Sequence, residues 1–311
     1  MKKLLSLAVP VYYEEDVILQ FLKETRAVLA TLDVDYEYIF VDDGSRDKTV
    51  DLIRAEAAKD PRVKLVVLSY NHGKAYSATA AFTHASGDYI LYMDPDLQDP
   101  PHEIPRFLHE IEKGFDLVWG IRREKNDTVI NRFYSRVFWG TLNKYTGLDI
   151  PKGIAVMRMF TREFADNLLR YNESNRFVEG LFMKVGMRQT VIEIDQRERF
   201  AGVSKFNFKR KMQLAFDAIF DFSELPLKLA VRLGFTLVAL GLIALLGLFV
   251  TRFFIQFQAG WPSIVSLIAI GIGLQLFFLG IVSLYIGKIY KESKNRPLFS
   301  AREYVNLTPK K

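Results

Sequence analysis

Apolar residues in the first 120 or so positions fall into short β-rich runs separated by amphipathic stretches. The runs Met1–Val9, Tyr36–Val41, Val63–Leu68, Tyr89–Tyr92 and Phe115–Gly120 are too short for helices, and several stop at a polar or proline-rich turn. Between the first two, Asp16–Leu32 carries Val17, Leu19, Phe21, Leu22, Val28, Leu29 and Leu32 among charged residues, which predicts an amphipathic helix. Helices are likewise predicted over Lys48–Lys59, from the Asn71–Lys74 turn through His84, and over Pro101–Lys113. Strands alternating with helices at this spacing predict βαβ units and an α/β fold with a doubly wound, mostly parallel sheet. Right-handed crossovers then place Pro10–Glu14, Asp42-Asp43, Asn71–Lys74 and Asp94–Asp96 on one sheet edge, the edge where open α/β sheets bind ligands.

The second half reads differently. Ile154–Phe160 and the alternating Gln189–Ile194 are strand candidates, with helices near Arg162–Arg170 and Arg176–Gly186. Arg122–Gly147 mixes basic and aromatic residues, a pattern that also suits a helix covering the sheet with a solvated basic face. From Lys205 to Lys228, Lys and Arg interleave with Phe, Leu and Ile, as in an amphipathic helix lying in a bilayer interface and broken near Pro226. Leu233–Thr251 and Ser263–Gly287 are almost uninterrupted apolar runs, each long enough for a hydrocarbon core of roughly 30 Å. The short segment between them predicts an antiparallel hairpin.

Lys228 and Arg232 before the first run, and Lys288, Lys291, Lys294 and Arg296 after the second, outnumber the lone Arg252 between them. The positive-inside rule therefore sets the N-terminal domain and the C-terminus in the cytoplasm of a multi-pass protein of the inner (plasma) membrane. The expected organisation is a catalytic domain over 1–205, interfacial helices over 206–230, two spans within 231–290 and a tail over 291–311. Gly234, Gly241, Gly247, Gly271, Gly273 and Gly280 permit close helix packing within a protomer or between the protomers of a homo-oligomer.

The totals refine this picture. Of 311 residues, 50% are hydrophobic and 25% charged, enough for a full core, and the formal net charge of +6 favours a polyanionic partner. No nucleic-acid signature is present, so lipid head groups and nucleotide phosphates are the expected anions. The absence of cysteine excludes disulfides, thiolate metal sites and cysteine nucleophiles. Met1–Val9 resembles a signal peptide only superficially: the apolar run is short, lacks a small-residue cleavage site and breaks into Tyr12-Tyr13-Glu14-Glu15-Asp16.

Candidate chemistry centres on Asp94-Pro95-Asp96, two carboxylates at a predicted strand end, followed by Gln98-Asp99-Pro100-Pro101. Hard oxygen ligands so spaced suit a divalent cation that also holds phosphates; a turn that merely caps the following helix has the same appearance. No Gly-x-x-x-x-Gly-Lys-Ser/Thr or Gly-x-Gly-x-x-Gly occurs at these turns, so P-loop and nicotinamide binding are excluded. Four histidines and no nucleophile elbow speak against a serine triad. A nucleotide held by carboxylates and backbone, with Mg2+ or Mn2+ joining its phosphates to Asp96, fits what remains.

Pro10-Val11-Tyr12-Tyr13-Glu14-Glu15, Val41-Asp42-Asp43-Gly44-Ser45, Asn71-His72-Gly73-Lys74 and Asp94-Pro95-Asp96-Leu97-Gln98-Asp99 resemble the successive motifs of family 2 inverting glycosyltransferases, which have a GT-A fold. Arg199-Phe200-Ala201-Gly202-Val203-Ser204-Lys205 and the two apolar runs narrow the resemblance to polyprenyl-phosphate glycosyltransferases, most closely to bactoprenol glucosyltransferases of the GtrB type. The resemblance implies that Pro10, Tyr12, Glu14, Asp42, Lys74 and Asp94 hold the donor nucleotide, a UDP-sugar. It implies that Asp96, with Asp94, ligates the metal, that Gln98 and Asp99 face the sugar or shape its loop, and that Arg199, Ser204 and Lys205 meet the phosphate of a polyprenyl acceptor. A bidentate Arg with a Lys suits a phosphate dianion.

One departure stands out. Where many relatives carry an acidic residue before Arg158, Ile154-Ala155-Val156-Met157 is wholly apolar. A phosphate monoester is already largely ionised at neutral pH, so a phospholipid acceptor needs positioning more than a base, and neither Asp149 nor Glu179 is given that role. The implied activity is transfer of one hexose, glucose from UDP-glucose, to undecaprenyl phosphate with inversion, the product passing to a lipid flippase. Rival readings are a mannosyl or aminoarabinosyl transferase of the same fold and a catalytically silent membrane scaffold.

Overall fold

The structure is a computed structural model and describes residues 2–122, 151, 153–174, 176–195, 197, 225–251 and 260–308. The chain divides into two units, one holding the N-terminal region together with Pro297–Lys311, the other holding Met212–Arg296.

In the first unit β1 (Leu4–Val11), α1 (Ile18–Leu29), β2 (Asp35–Asp42), α2 (Thr49–Lys59), β3 (Val63–Leu68), α3 (Lys74–His84) and β4 (Tyr89–Tyr92) alternate as the sequence pattern predicts. After a 3-10 turn at Pro101–Glu103 come α4 (Ile104–Glu112), β5 (Leu117–Arg122), β6 (Ile154–Thr161), α5 (Arg162–Leu169), α6 (Val178–Val185) and β7 (Gln189–Ile194). The sheet has eight strands in the order β7-β5-β6-β4-β1-β2-β3-β8, where β8 (Ala301–Val305) lies beyond the long helices in sequence.

β1, β2, β3 and β4 pair in parallel, and β5 pairs in parallel with β7. β6 runs antiparallel between β4 and β5, and β8 runs antiparallel to β3. The sheet is thus mixed and mostly parallel, as the sequence pattern predicts. The run over 291–311, read from sequence as a tail, contains a strand of the first unit.

The near-continuous burial of β1, β2 and β3 means that both sheet faces are covered. Alternate side chains sort the two layers. Leu5, Leu7, Val9, Phe40, Leu65, Leu91 and Met159 join Phe21, Leu22, Ile53 and Phe107 of α1, α2 and α4 in one core. From the opposite face Tyr92 and Phe160 meet Phe82 of α3 at 5.3 and 5.2 Å, while Phe164 of α5 and Phe182 of α6 pack on Phe160. Gly87 is a required glycine, since a Cβ there would lie 2.5 Å from the Leu4 carbonyl.

The second unit contains α7 (Leu225–Thr251) and α8 (Trp261–Ser293), which include both long apolar runs. Many of its described apolar side chains are exposed, Phe235, Leu267 and Ile270 among the most so. Gly234, Val238, Gly271 and Phe278 line a groove between the two helices. Among the described residues, Ile270–Ser293 is the one stretch long and apolar enough to cross a membrane; the two-span hairpin is therefore not established by the fold.

Candidate active site

Parallel pairing in the order β4-β1-β2-β3 puts four strand ends side by side, as the register Val11 opposite Asp42 and Asp42 opposite Val67 shows. The turns after these strands are tied to one another. Asp43 N–H donates to the Val11 carbonyl at 2.9 Å, Tyr13 N–H to Ser45 Oγ at 2.9 Å and Glu14 N–H to Thr49 Oγ1 at 2.8 Å. Tyr13 adopts φ 56°, which sharpens the turn after β1; its ring meets Tyr12 edge-on at 4.5 Å. The Glu14 carbonyl accepts from Val17 and Ile18 at the entrance to α1. Pro10 sits in β1 opposite Val41, a place where the missing N–H interrupts the ladder least, next to the strand end.

Asp42 ends β2 fully buried. One oxygen, Oδ2, accepts from the Gly44 and Ser45 amides at 3.0 Å each, while Oδ1 has no hydrogen-bond partner among the described residues. Burial pushes this carboxyl above its usual range, against the hydrogen bonds from Ser45 and Gly44. An acceptor that is buried yet unmatched costs stability, and a donor from a ligand would complete it. Its neighbour Asp43 does something the sequence reading did not foresee. Oδ1 accepts from the His72 amide at 2.8 Å and Oδ2 from the Gly73 amide at 2.9 Å, so Asp43 pins the loop after β3. Gly73, at φ 104°, lets the chain turn there into α3.

That loop delivers Lys74, whose Nζ donates to Asp94 Oδ2 at 2.5 Å. The pair is accessible from solvent, 48% for the Lys74 side chain and 21% for Asp94. Dehydration works against the Lys74 charge, but Asp94, Tyr92 and Glu179 outweigh it and hold the ammonium above the ordinary lysine range. Asp96 is nearly buried and its Oδ1 accepts from the Gln98 amide at 3.1 Å. Leu97, at φ 59°, bends the loop between them. Gln98 itself is half-buried, and its carbonyl accepts from Arg197 N–H at 3.0 Å. Asp99 faces inward instead: Oδ2 accepts from Met157 N–H at 3.0 Å and Oδ1 from Arg122 Nη2 at 3.3 Å. It therefore shapes the loop by tying it to β6 and β5.

Arg199, Ser204 and Lys205 lie outside the described residues, as does the segment 206–224. Pro10, Tyr12, Glu14, Asp42, Asp94, Asp96 and Gln98 lie on strands or the turns after them, and Lys74 opens α3, at one sheet edge.

Beneath this edge lies Arg158, 1% exposed, opposite Tyr92 in β4 and Trp119 in β5. Its guanidinium stands 4.8 Å from the Trp119 ring centre, 5.0 Å from Phe182 and 5.3 Å from Tyr92. It donates from Nε to the Val156 carbonyl at 3.0 Å and reaches Glu179 Oε1 at 3.5 Å. Burial raises Tyr92 to about 12, so its hydroxyl stays protonated. A lone Arg amid an apolar strand gave no sequence signal of an aromatic cage, because its ring partners come from three separate elements. The apolar Ile154–Met157 segment is part of β6, and Ala155 and Met157 are buried.

Residues 6–169 match the family model described as glycosyl transferase family 2. The chain belongs to this family. It is 34% identical to a bactoprenol glucosyl transferase of Shigella phage SfV, over 95% of this chain and 97% of that protein. It is 32% identical to an undecaprenyl-phosphate 4-deoxy-4-formamido-L-arabinose transferase of Pseudomonas fluorescens (strain Pf0-1), over 98% and 91%. Among solved structures, glucosyl-3-phosphoglycerate synthase from Mycobacterium tuberculosis, in complex with Mg2+ and UDP, is similar at a TM-score of 0.48 and 19% identity, covering 70% of this chain and 77% of that one.

Proposed function

We propose that the protein transfers a hexose, glucose from UDP-glucose, to polyprenyl phosphate at the cytoplasmic face of the inner membrane, with inversion at the anomeric carbon. The observation that carries this reading is the convergence of Asp42, the Lys74–Asp94 pair and Asp96 on one strand edge. Two relatives named for transfer to the bactoprenol or undecaprenyl carrier, matched over nearly their whole length, support the acceptor.

The buried Asp42 Oδ1 supplies an acceptor for a nucleoside N–H or O–H, and Tyr12 offers a ring at the same edge. Lys74 supplies a cation for the diphosphate. Asp94 and Asp96, two residues apart on the loop after β4, would offer hard carboxylate oxygens to Mg2+ or Mn2+. Such an ion, when bound, stabilises the negative charge growing on the leaving nucleoside diphosphate. Asp99 and the φ of Leu97 hold that loop in shape without taking part in the chemistry.

The acceptor phosphate, already an anion, attacks C1 while the bond from C1 to the diphosphate oxygen breaks; the electron pair leaves with the nucleotide, and no protein base is required. Arg199, Ser204 and Lys205 are assigned to the acceptor phosphate. The apolar α7 and α8 are assigned to the bilayer as a two-span anchor, next to a carrier lipid that lives there. The relative named for 4-deoxy-4-formamido-L-arabinose transfer supports a second donor reading on the same site.

The test is incubation of the purified chain with undecaprenyl phosphate, Mg2+ and, separately, labelled UDP-glucose, GDP-mannose or a UDP-aminoarabinose derivative. Labelled lipid from UDP-glucose alone is the expected result. No labelled lipid from any donor defeats the enzyme reading, and label from another donor alone defeats the glucose assignment.

A further inference from the structure

The segment that follows α8 does more than extend the sheet. Ser300 sits at the foot of β8, where its carbonyl accepts from Ser69 N–H at 2.8 Å and its own N–H donates to His72 Nε2 at 3.3 Å. The other ring nitrogen, Nδ1, lies 2.7 Å from the Tyr70 carbonyl. A carbonyl can only accept, so Nδ1 carries the proton and Nε2 is left as the acceptor that Ser300 uses. The ring is further fixed by stacking on Tyr70 at 3.9 Å.

His72 also gives its backbone N–H to Asp43, as Gly73 does. The loop that presents Lys74 to Asp94 is therefore gripped twice, through its backbone by β2 and through the His72 ring by β8. β8 is itself locked down. Glu303 takes a two-pronged contact from Arg54 of α2 at 3.0 and 3.2 Å, and Asn306 Nδ2 donates to the Ala57 and Val63 carbonyls at 2.8 and 2.9 Å. These bonds join residues more than 240 positions apart and fix Ser300 relative to the strand ends.

We propose that His72 is a positioning residue for the nucleotide-sugar donor, and that the segment after α8 takes part in donor binding through the Ser300–His72 hydrogen bond. The inference rests on the reading of Lys74 and Asp94 as the donor diphosphate site. A loop held at both its backbone and its ring presents Lys74 in one register and spends less binding energy on ordering; with the ring released, donor affinity falls while the chemistry at C1 is untouched.

The experiment uses the full chain with polyprenyl phosphate and a saturating series of the donor it turns over. His72→Phe keeps an aromatic ring against Tyr70 but loses both the acceptor for Ser300 and the Nδ1 donor to the Tyr70 carbonyl; Ser300→Pro removes the Ser300 N–H alone. Each is expected to raise donor KM roughly threefold to tenfold, the range for one lost hydrogen bond, with kcat, acceptor KM and melting temperature unchanged. His72→Gln, whose amide oxygen can accept, restores the low KM, and the double variant is no worse than either single one. An unchanged donor KM in both single variants, a loss in kcat alone, or a Gln variant as poor as Phe overturns the proposal. Should Ser300→Pro not accumulate, the Phe and Gln pair decides. No turnover by the unmodified chain with any donor defeats instead the donor-site reading beneath it.

Discussion

Lys74 Nζ donates to Asp94 Oδ2 at 2.5 Å, joining the first turn of α3 to the loop after β4. Without donor, each partner neutralises the other in a place open to solvent. Under the proposed function, a diphosphate entering there would take over the lysine, and the freed carboxylate would be open to a cation.

Lys74→Met is expected to lower donor use by roughly tenfold to a hundredfold, the worth of a charge-assisted hydrogen bond to phosphate. Stability changes little, because a half-exposed ion pair contributes only about 0–1 kcal/mol. Steady-state kinetics beside a melting curve separates the two effects; a matching fall in melting temperature refutes the binding role.

Asp96→Asn retains an oxygen for the Gln98 amide and so preserves the loop. Turnover is expected to drop about 10²–10³-fold as charge stabilisation is lost, and titration with Mg2+ or Mn2+ should no longer raise it. Retained metal-stimulated turnover removes Asp96 from the metal site.

The first four strands and three helices, and with them the meeting of Asp42, Lys74, Asp94 and Asp96 at one edge, were legible because each strand is a local apolar run ending in a local turn. The antiparallel course of β6 was not, since orientation is set by pairing with Tyr89–Tyr92 and Leu117–Ile121, distant in the chain. β8 escaped for the same reason: Ala-Arg-Glu-Tyr-Val has a single alternation and gains its stability from Val63–Leu68, Arg54 and Ala57. The task of Asp43 was hidden because a carboxylate that binds backbone amides reads in sequence like one that binds a ligand; for Asp99 the same ambiguity left ligand contact and loop shaping both open, and the structure has it tie the loop.

Arg158→Ala is expected to destabilise the first unit by roughly 3 kcal/mol, from the void left between Tyr92, Trp119 and Phe182 and the loss of buried contacts. Arg158→Lys should recover less than half, because a point ammonium cannot both stack on the rings and donate to Val156. Denaturant unfolding followed by near-ultraviolet dichroism reports on the cage; equal midpoints for the Lys variant and the unmodified chain contradict this account.

Glu37, at the opposite sheet edge, is buried and accepts from Ser6 at 2.5 Å, from the Ser86 amide and hydroxyl at 2.7 Å each, and from Lys64. Burial alone raises a carboxyl, but the hydrogen bonds from Lys64, Ser6 and Ser86 outweigh it, and the net shift is downward from 4.5. A lowered folded-state value means that its contribution is fully present above about pH 4.5 and is lost as pH falls through the folded value. Glu37→Gln should therefore flatten the acid limb of melting temperature against pH while lowering the plateau. An acid limb of unchanged slope shows that other carboxylates govern it.

β8 also sets an order of events in biosynthesis. It follows α7 and α8 in the sequence yet covers the outer edge of β3, so the outward-facing N–H and C=O groups of Val63–Leu68, those not paired with β2, stay unpaired until β8 has been synthesised. A nascent chain arrested before residue 301 carries an open apolar strand edge, the template on which other chains add. Pairing of β8 with β3 therefore guards the sheet against self-association before any substrate is met.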